Sequence, residues 1–246
     1  MAGMATNERI DQIKRNFDLV QTRIAQAAER SNRDPGDVKL VAVTKLMPVE
    51  TIEAGIAAGL RCFGENYPGQ AVEKIASIKS TKEVEWHMIG HIQSRKTDTV
   101  CRYFNMVHSL DRMKIARYLD RYAGEASRIM PVLIEVNLSG EASKYGWEAS
   151  DERLWPELVP DFQEIASMKN IVLQGLMSMP PLFEDPERTR PIYRRLKRLQ
   201  QFFREKIPGA EWGDLSIGTS FDFEIAVEEG ATMVRIGTEI FGERSK

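Results

Sequence analysis

Cysteine is scarce in this sequence, and its placement excludes most of what cysteines do. The two, Cys62 and Cys101, lie far apart and fit no metal-binding or redox spacing, so free thiols in a reducing compartment are the simplest reading. Histidine is nearly as scarce, with three in the chain. His87 and His91 have the i, i+4 spacing of a helical zinc pair, yet they straddle the predicted end of a strand and Gly90, and the glutamate of H-E-x-x-H is missing; no metal site is expected. There is no G-x-S-x-G elbow to support a serine hydrolase and no G-x-G-x-x-G opening a helix after a strand. No run of about 18 apolar residues could span a bilayer, and the first residues lack the apolar core of a signal peptide. A cationic excess is missing too: the formal charge is −2, which argues against a dedicated binder of nucleic acid or of anionic membrane. The expectation is a cytoplasmic protein, and a monomer. The basic helix candidate Arg188 to Lys206 reads as a solvated face.

What is present is regular. From Thr6 to Arg30, Ile10, Ile13, Phe17, Val20 and Ile24 recur at steps of three and four, the pattern of one helix face turned to a core. Asn32, Asp34, Pro35 and Gly36 stop that helix. Leu40-Val41-Ala42-Val43-Thr44-Lys45 follows, a short apolar run without polar alternation, as expected of a strand buried on both faces of a parallel sheet. Pro48 suits a helix's first turn, and Ile52 and Ile56 carry a helical stripe to Gly59. Further strands are predicted near Leu60 to Phe63, Val84 to Ile89, Met106 to His108, Pro131 to Asn137, Ile171 to Met177, Trp212 to Ser216 and Thr232 to Ile236, mostly separated by helical patterns. With Lys39 to Thr44 they number eight, the count that closes a (β/α)8 TIM-type barrel. No linker, low-complexity segment or sequence repeat interrupts the series, so residues 1–246 read as one α/β barrel domain with an extra N-terminal helix. Too little chain follows the eighth strand for a full outer helix, and the N-terminal helix is expected to fill that gap.

In such barrels function gathers where strands end. Here the strand exits carry Thr44-Lys45, Gly64-Glu65-Asn66, Gly90-His91, Ser109, Asn137, Ser178, Ser216 and Gly237-Thr238. Strand exits favour such residues anyway, but two are more specific. The seventh strand runs into Leu215-Ser216-Ile217-Gly218-Thr219-Ser220 and the eighth into Val234-Arg235-Ile236-Gly237-Thr238. Glycines let backbone approach an anion, hydroxyls and free N–H groups donate to it, and these two loops are the usual phosphate site of the fold. A lysine at the end of the first strand faces the same mouth. Once neutral it can form a Schiff base with an aldehyde, and lysine, aldehyde and phosphate together point to pyridoxal 5′-phosphate (PLP). Arg235 could pair with an anion, with a pyridine nitrogen, or simply in a buried ion pair. A lysine aldolase acting on a phosphosugar stays open as another use of the same residues.

The chain resembles the pyridoxal phosphate homeostasis proteins over nearly its whole length. The resemblance runs through Ala42-Val43-Thr44-Lys45, Phe63-Gly64-Glu65-Asn66-Tyr67, Trp86-His87-Met88-Ile89-Gly90, Gly175-Leu176-Met177, Leu215-Ser216-Ile217-Gly218 and Val234-Arg235-Ile236-Gly237-Thr238. It implies a barrel similar to the N-terminal domain of alanine racemase, with PLP joined covalently to Lys45. It further implies Ser216, Gly237 and Thr238 as phosphate ligands, Arg235 as partner of the pyridine nitrogen, and Asn66 and Met177 beside the cofactor. Three positions depart from the family's usual residues: Arg95 where it has Asn, and Ile217 and Thr219 where Met is common.

A racemase needs acid–base groups on both faces of its substrate. Alanine racemase completes that set with a further β domain and a partner subunit, and this sequence is expected to lack such a domain. The family role implied is therefore non-catalytic: PLP is held as a Schiff base and released to apo-enzymes, in vitamin B6 homeostasis. The competing expectation is a PLP-dependent racemase or decarboxylase using Lys45 with Tyr67 or His87 as its acid–base pair.

Overall fold

A computed structural model describes residues 6–78 and 84–243. The described residues form nine strands, separated by helices except between the fifth and sixth: β1 (Lys39–Val43), β2 (Cys62–Glu65), β3 (Glu85–Met88), β4 (Met106–Leu110), β5 (Met130–Asn137), β6 (Trp147–Glu148), β7 (Ile171–Met177), β8 (Asp214–Thr219) and β9 (Met233–Ile236). The helices are α1 (Asn7–Arg30), α2 (Val49–Ala57), α3 (Pro68–Ser77), α4 (Thr97–Tyr103), α5 (Met113–Glu125), α6 (Trp155–Ala166), α7 (Arg190–Lys206), α8 (Phe223–Glu228) and α9 (Thr238–Phe241). All strand pairings are parallel, in the order β4-β3-β2-β1-β9-β8-β7-β5, and β4 pairs with β5 to close the ring. This is an eight-stranded TIM-type α/β barrel, as the sequence predicts.

One strand is extra. Trp147–Glu148 adds to the end of β5, with Val136 opposite Trp147. Two residues carry no period, so the sequence gives no sign of it. It shifts the numbering: the predicted seventh and eighth strands are β8 and β9.

Period two divides the strands between two packing environments. One set faces the helices. The other fills the barrel interior, where Val41, Cys62, Met106, Leu133, Met177 and Met233 form a small apolar cluster. Gly175 lets β7 lie against β8, since a Cβ there would stand 1.9 Å from Asp214 O.

Helix α1 occupies the predicted gap. Thr6 caps it by accepting the Arg9 N–H, and Ile13, Val20, Ile24, Ala27 and Ala28 are buried along one face, which packs against α2, α8 and α9. Its polar edges tie down the end of the barrel: Asn16 Nδ2 donates to Ile240 O (2.9 Å), Arg9 Nη2 to Phe241 O (2.9 Å), and Arg23 pairs with Glu224 (2.6 Å). Among the described residues no helix is long and apolar enough to cross a membrane.

Candidate functional site

At the C-terminal ends of the strands lies a cavity of about 680 Å³, within the range of small-molecule and cofactor sites. Lys45, Asn66, Arg235, Gly237 and Thr238 all line it, so five of the seven cofactor-binding residues expected from the sequence meet at one place.

Lys45 is set by its neighbours. Thr44 directly follows β1 and has no exposure; its N–H donates to Gly64 O (3.0 Å) and its hydroxyl to Glu65 Oε1 (2.8 Å). Lys74, reaching in from α3, donates to Thr44 O (2.9 Å) and to Glu65 Oε1 (2.7 Å). The buried Lys74–Glu65 pair thus clamps the backbone one residue before Lys45. Leu46 then takes a left-handed conformation (φ 62°), which turns the chain sharply just after the lysine.

The loops after β8 and β9 form the opposite wall. Thr219, one of the departures from the family pattern, donates from its N–H (2.8 Å) and hydroxyl (3.0 Å) to Asp222 Oδ1. That fixes the turn presenting Ser220 and Phe221 to the cavity. The backbone N–H groups of Gly237 and Glu239 both point at Ser220 Oγ, at 3.3 and 3.5 Å. Bonds this long are weak, so those donors can be given over to the oxygens of an incoming anion. On the β2 side, Asn66 Oδ1 is buried without a partner, an acceptor unsatisfied among the described residues. Lys45, Lys144 and Arg235 bring positive charge to the wall, against Glu135. Burial pushes the Glu135 carboxyl up to about 7, and neighbouring Asp111 adds to the rise. The residues present therefore suit a phosphorylated, hydrogen-bonding ligand.

Arg235 is 4% exposed, reaching the cavity from below. Its Nη1 donates to Ser216 O (2.6 Å) and Oγ (2.5 Å), and its Nη2 to Ser178 O (3.1 Å). Burial lowers its pKa from the ordinary arginine value, yet a guanidinium stays charged in proteins.

The other two expected residues lie elsewhere. Ser216 and Met177 do not reach the cavity wall: both point into the barrel interior, Ser216 with no exposure and Met177 within the apolar cluster. The reason is the pleat, which turns alternate residues of β7 and β8 inward beneath the mouth. Ser220, four residues on, holds the wall position instead. Of the two residues named as acid–base partner to Lys45 in the competing reading, Tyr67 lines the cavity beside it, whereas His87 is buried in the interior below. The other departures are mild: Ile217 is buried in the core and Arg95 is exposed, donating to Gln93 on the rim (3.2 Å).

The sequence analysis missed part of the wall. Glu135, Ser143, Lys144 and Tyr145 also line it, with His91 of the Gly90-His91 strand exit; His91 stacks on Tyr145 (4.0 Å between centroids) with Nδ1 2.7 Å from Asp111 Oδ2. Of the four missed residues Glu135 left a trace, as the one carboxylate within the apolar run of β5.

Comparison with known proteins agrees with this architecture. The family of the alanine racemase N-terminal domain matches residues 9–245. The pyridoxal phosphate homeostasis protein of Vibrio cholerae is 40% identical over 94% of this chain and 96% of its own, and that of Aquifex aeolicus 38% identical over 92% and 95%. Among solved structures, PipY of Synechococcus elongatus with PLP bound superposes with a TM-score of 0.78 at 31% identity, covering 89% of this chain and all of its own. Alanine racemase of Clostridium difficile shares the fold at 14% identity and a TM-score of 0.69, this chain spanning 58% of its length. The chain belongs to the alanine racemase N-terminal domain family and, within it, to the pyridoxal phosphate homeostasis proteins.

Proposed function

We propose that this chain, a single barrel domain over residues 1–246, holds PLP as a Schiff base on Lys45. It keeps the cofactor for vitamin B6 homeostasis in the cytoplasm, as a monomer, and releases it to apo-enzymes. The observation that carries this reading is the convergence of Lys45, Arg235 and the Ser220–Gly237–Thr238 wall on one cavity. Bound PLP supplies an aldehyde that traps amines and a ring that can act as an electron sink.

The chain's own groups divide the work. Lys45, in its neutral form, would hold the aldehyde reversibly as an imine, with water as the co-product of capture and the reagent of release. Gly237, Thr238 and Ser220 would hold the phosphate, Asn66 would offer its unsatisfied carbonyl oxygen, and Arg235 would serve the ring nitrogen. Met177 and Ser216 support the site from beneath. An arginine cation in that role would oppose ring protonation and so weaken the electron sink, which suits storage better than turnover.

A racemase or decarboxylase would need a second acid–base group, and of the two residues named for it only Tyr67 reaches the cavity. Incubating the PLP-loaded protein in heavy water with a panel of L-amino acids separates the readings. The carrier reading expects α-proton exchange no faster than with free PLP, and sustained exchange above that rate contradicts it. Transfer is tested by adding an apo-aminotransferase: storage predicts recovery of its activity with loss of the protein's visible band.

A further inference from the structure

From Arg235 on the cavity wall a line of buried polar side chains runs into the barrel interior. Arg235 Nη1 donates to Ser216 Oγ; Ser216 Oγ lies 2.8 Å from His108 Nδ1; His108 Nε2 lies 2.9 Å from His87 Nδ1; and His87 Nε2 lies 3.5 Å from Glu85 Oε2. Ser216 and His108 have no exposure and His87 has 2%. The line descends from the cofactor mouth to a second cavity at the opposite end of the barrel, where Glu85 and His87 meet Lys39 and Asp214.

Counting donors fixes the direction of the line. Arginine only donates, so Ser216 Oγ accepts there. Burial holds His108 well below the ordinary histidine value and lowers His87, so each imidazole is neutral with one N–H. Suppose the protons pointed toward the cavity, with His87 Nδ1–H donating to His108 and His108 Nδ1–H to Ser216. The bare His87 Nε2 would then face the Glu85 carboxylate, acceptor against acceptor. In the reverse order Ser216 Oγ–H donates to His108 Nδ1, His108 Nε2–H donates to His87 Nδ1, and His87 Nε2–H faces Glu85. Only this order gives every acceptor a donor. Lys39 Nζ, 2.9 Å from Glu85 Oε2, offsets the carboxylate at the far end.

We propose that His87 and His108 are positioning residues for Arg235. Together with Glu85 and Ser216 they form a one-directional hydrogen-bond relay that commits the Ser216 proton to the barrel interior and leaves Ser216 Oγ as a fixed acceptor pinning the guanidinium at the cofactor cavity. This assigns Ser216 a task other than holding phosphate, and it explains why three polar side chains occupy an otherwise apolar interior. Its link to PLP rests on the function proposed above; the relay itself does not.

The test uses the full-length chain labelled with [15N]histidine, free of PLP and kept in chelator, because Cys62 Sγ lies within 4.8 Å of the Glu85 and His87 ligand atoms and a bound metal would impose its own tautomer. With three histidines in the sequence, a two-bond 1H–15N correlation resolves each ring. The relay predicts that His87 and His108 are both neutral with the proton on Nε2, and that Ser216→Ala moves the His108 Nδ1 resonance while leaving His91 in place. A proton on Nδ1 of His108, or a charged ring there, overturns it. PLP titration adds a rescue. His108→Asn keeps an acceptor for the Ser216 hydroxyl and binds within about threefold of wild type. His108→Leu binds at least about tenfold more weakly, the loss expected for one buried hydrogen bond, with a shifted visible band. Equal affinities for the two variants contradict the relay. Should no variant and no wild-type sample bind PLP, the proposed function fails, while the tautomers still decide the relay by themselves.

Discussion

Lys74 holds the backbone directly before Lys45, the residue proposed to carry the chemistry. Its ammonium touches both Thr44 O and Glu65 Oε1 in a site where Glu65 has no exposure. Removing one partner of a buried pair strands the other charge, at a cost of roughly 3–5 kcal/mol. Lys74→Met should therefore destabilise the fold by about that amount in urea titration and blur the position of Lys45; a loss below about 1 kcal/mol would mean that the pair is dispensable. Glu135 makes the opposite case. Its carboxyl titrates at about 7 in the folded chain against an ordinary 4.5, so between those values the native state holds a proton that the unfolded chain has lost. Stability from this group is complete below the lower value and is lost as pH rises through the window. Glu135→Gln, which cannot ionise, should be the more stable chain above pH 7, by on the order of 2–3 kcal/mol. It should match wild type near pH 4.5, as read from paired denaturation curves at the two pH values. Lys45, Asn66, Arg235, Gly237 and Thr238 could be read from sequence because each sits at or beside a strand exit. Ser216 and Met177 could not be placed, because one step along the pleat separates the wall from the interior.

At the scale of elements, the strands and helices were legible where their period was long or their burial complete. Helix α1 starts one residue inside the predicted Thr6 and ends at the predicted Arg30; β7 matches residue for residue. The loop over residues 138–146 was not legible as part of the site. It brings Ser143, Lys144 and Tyr145 to the cavity through tertiary placement, to which no local pattern points. Close packing between elements offers a test. A Cβ on Gly90 would stand 2.5 Å from Asn66 O and 2.6 Å from Asn66 Cα, so the loop after β3 has room for glycine alone. Gly90→Ala should push Asn66 and Tyr67 off the wall and weaken PLP binding about tenfold or more, with the far-ultraviolet circular dichroism of the barrel retained. Unchanged affinity would show that the β2 exit has no part in holding the ligand.

For the whole molecule, ring closure depends on a helix outside the eight repeating units. Ile13, Val20 and Ile24 have 0–1% exposure, and burying each side chain contributes about 1.5–3 kcal/mol. Their sum approaches the roughly 5–15 kcal/mol that stabilises a typical fold. A chain lacking residues 1–30 should accordingly show no cooperative urea transition; a sharp transition would make α1 an ornament of the barrel. The barrel was legible because eight buried runs alternate with helical patterns; the proposed role came from the family resemblance, and the meeting of Lys45 with the loops after β8 and β9 at one cavity supports it.

That meeting is the central claim, and the visible spectrum of purified protein with added PLP tests it most directly, before and after borohydride, for wild type and Lys45→Ala. Wild type should gain an imine band that borohydride abolishes while fixing the cofactor to a Lys45 peptide, and Lys45→Ala should gain none. A wild type that stays colourless, or a Lys45→Ala chain with the same reducible band, would contradict the account.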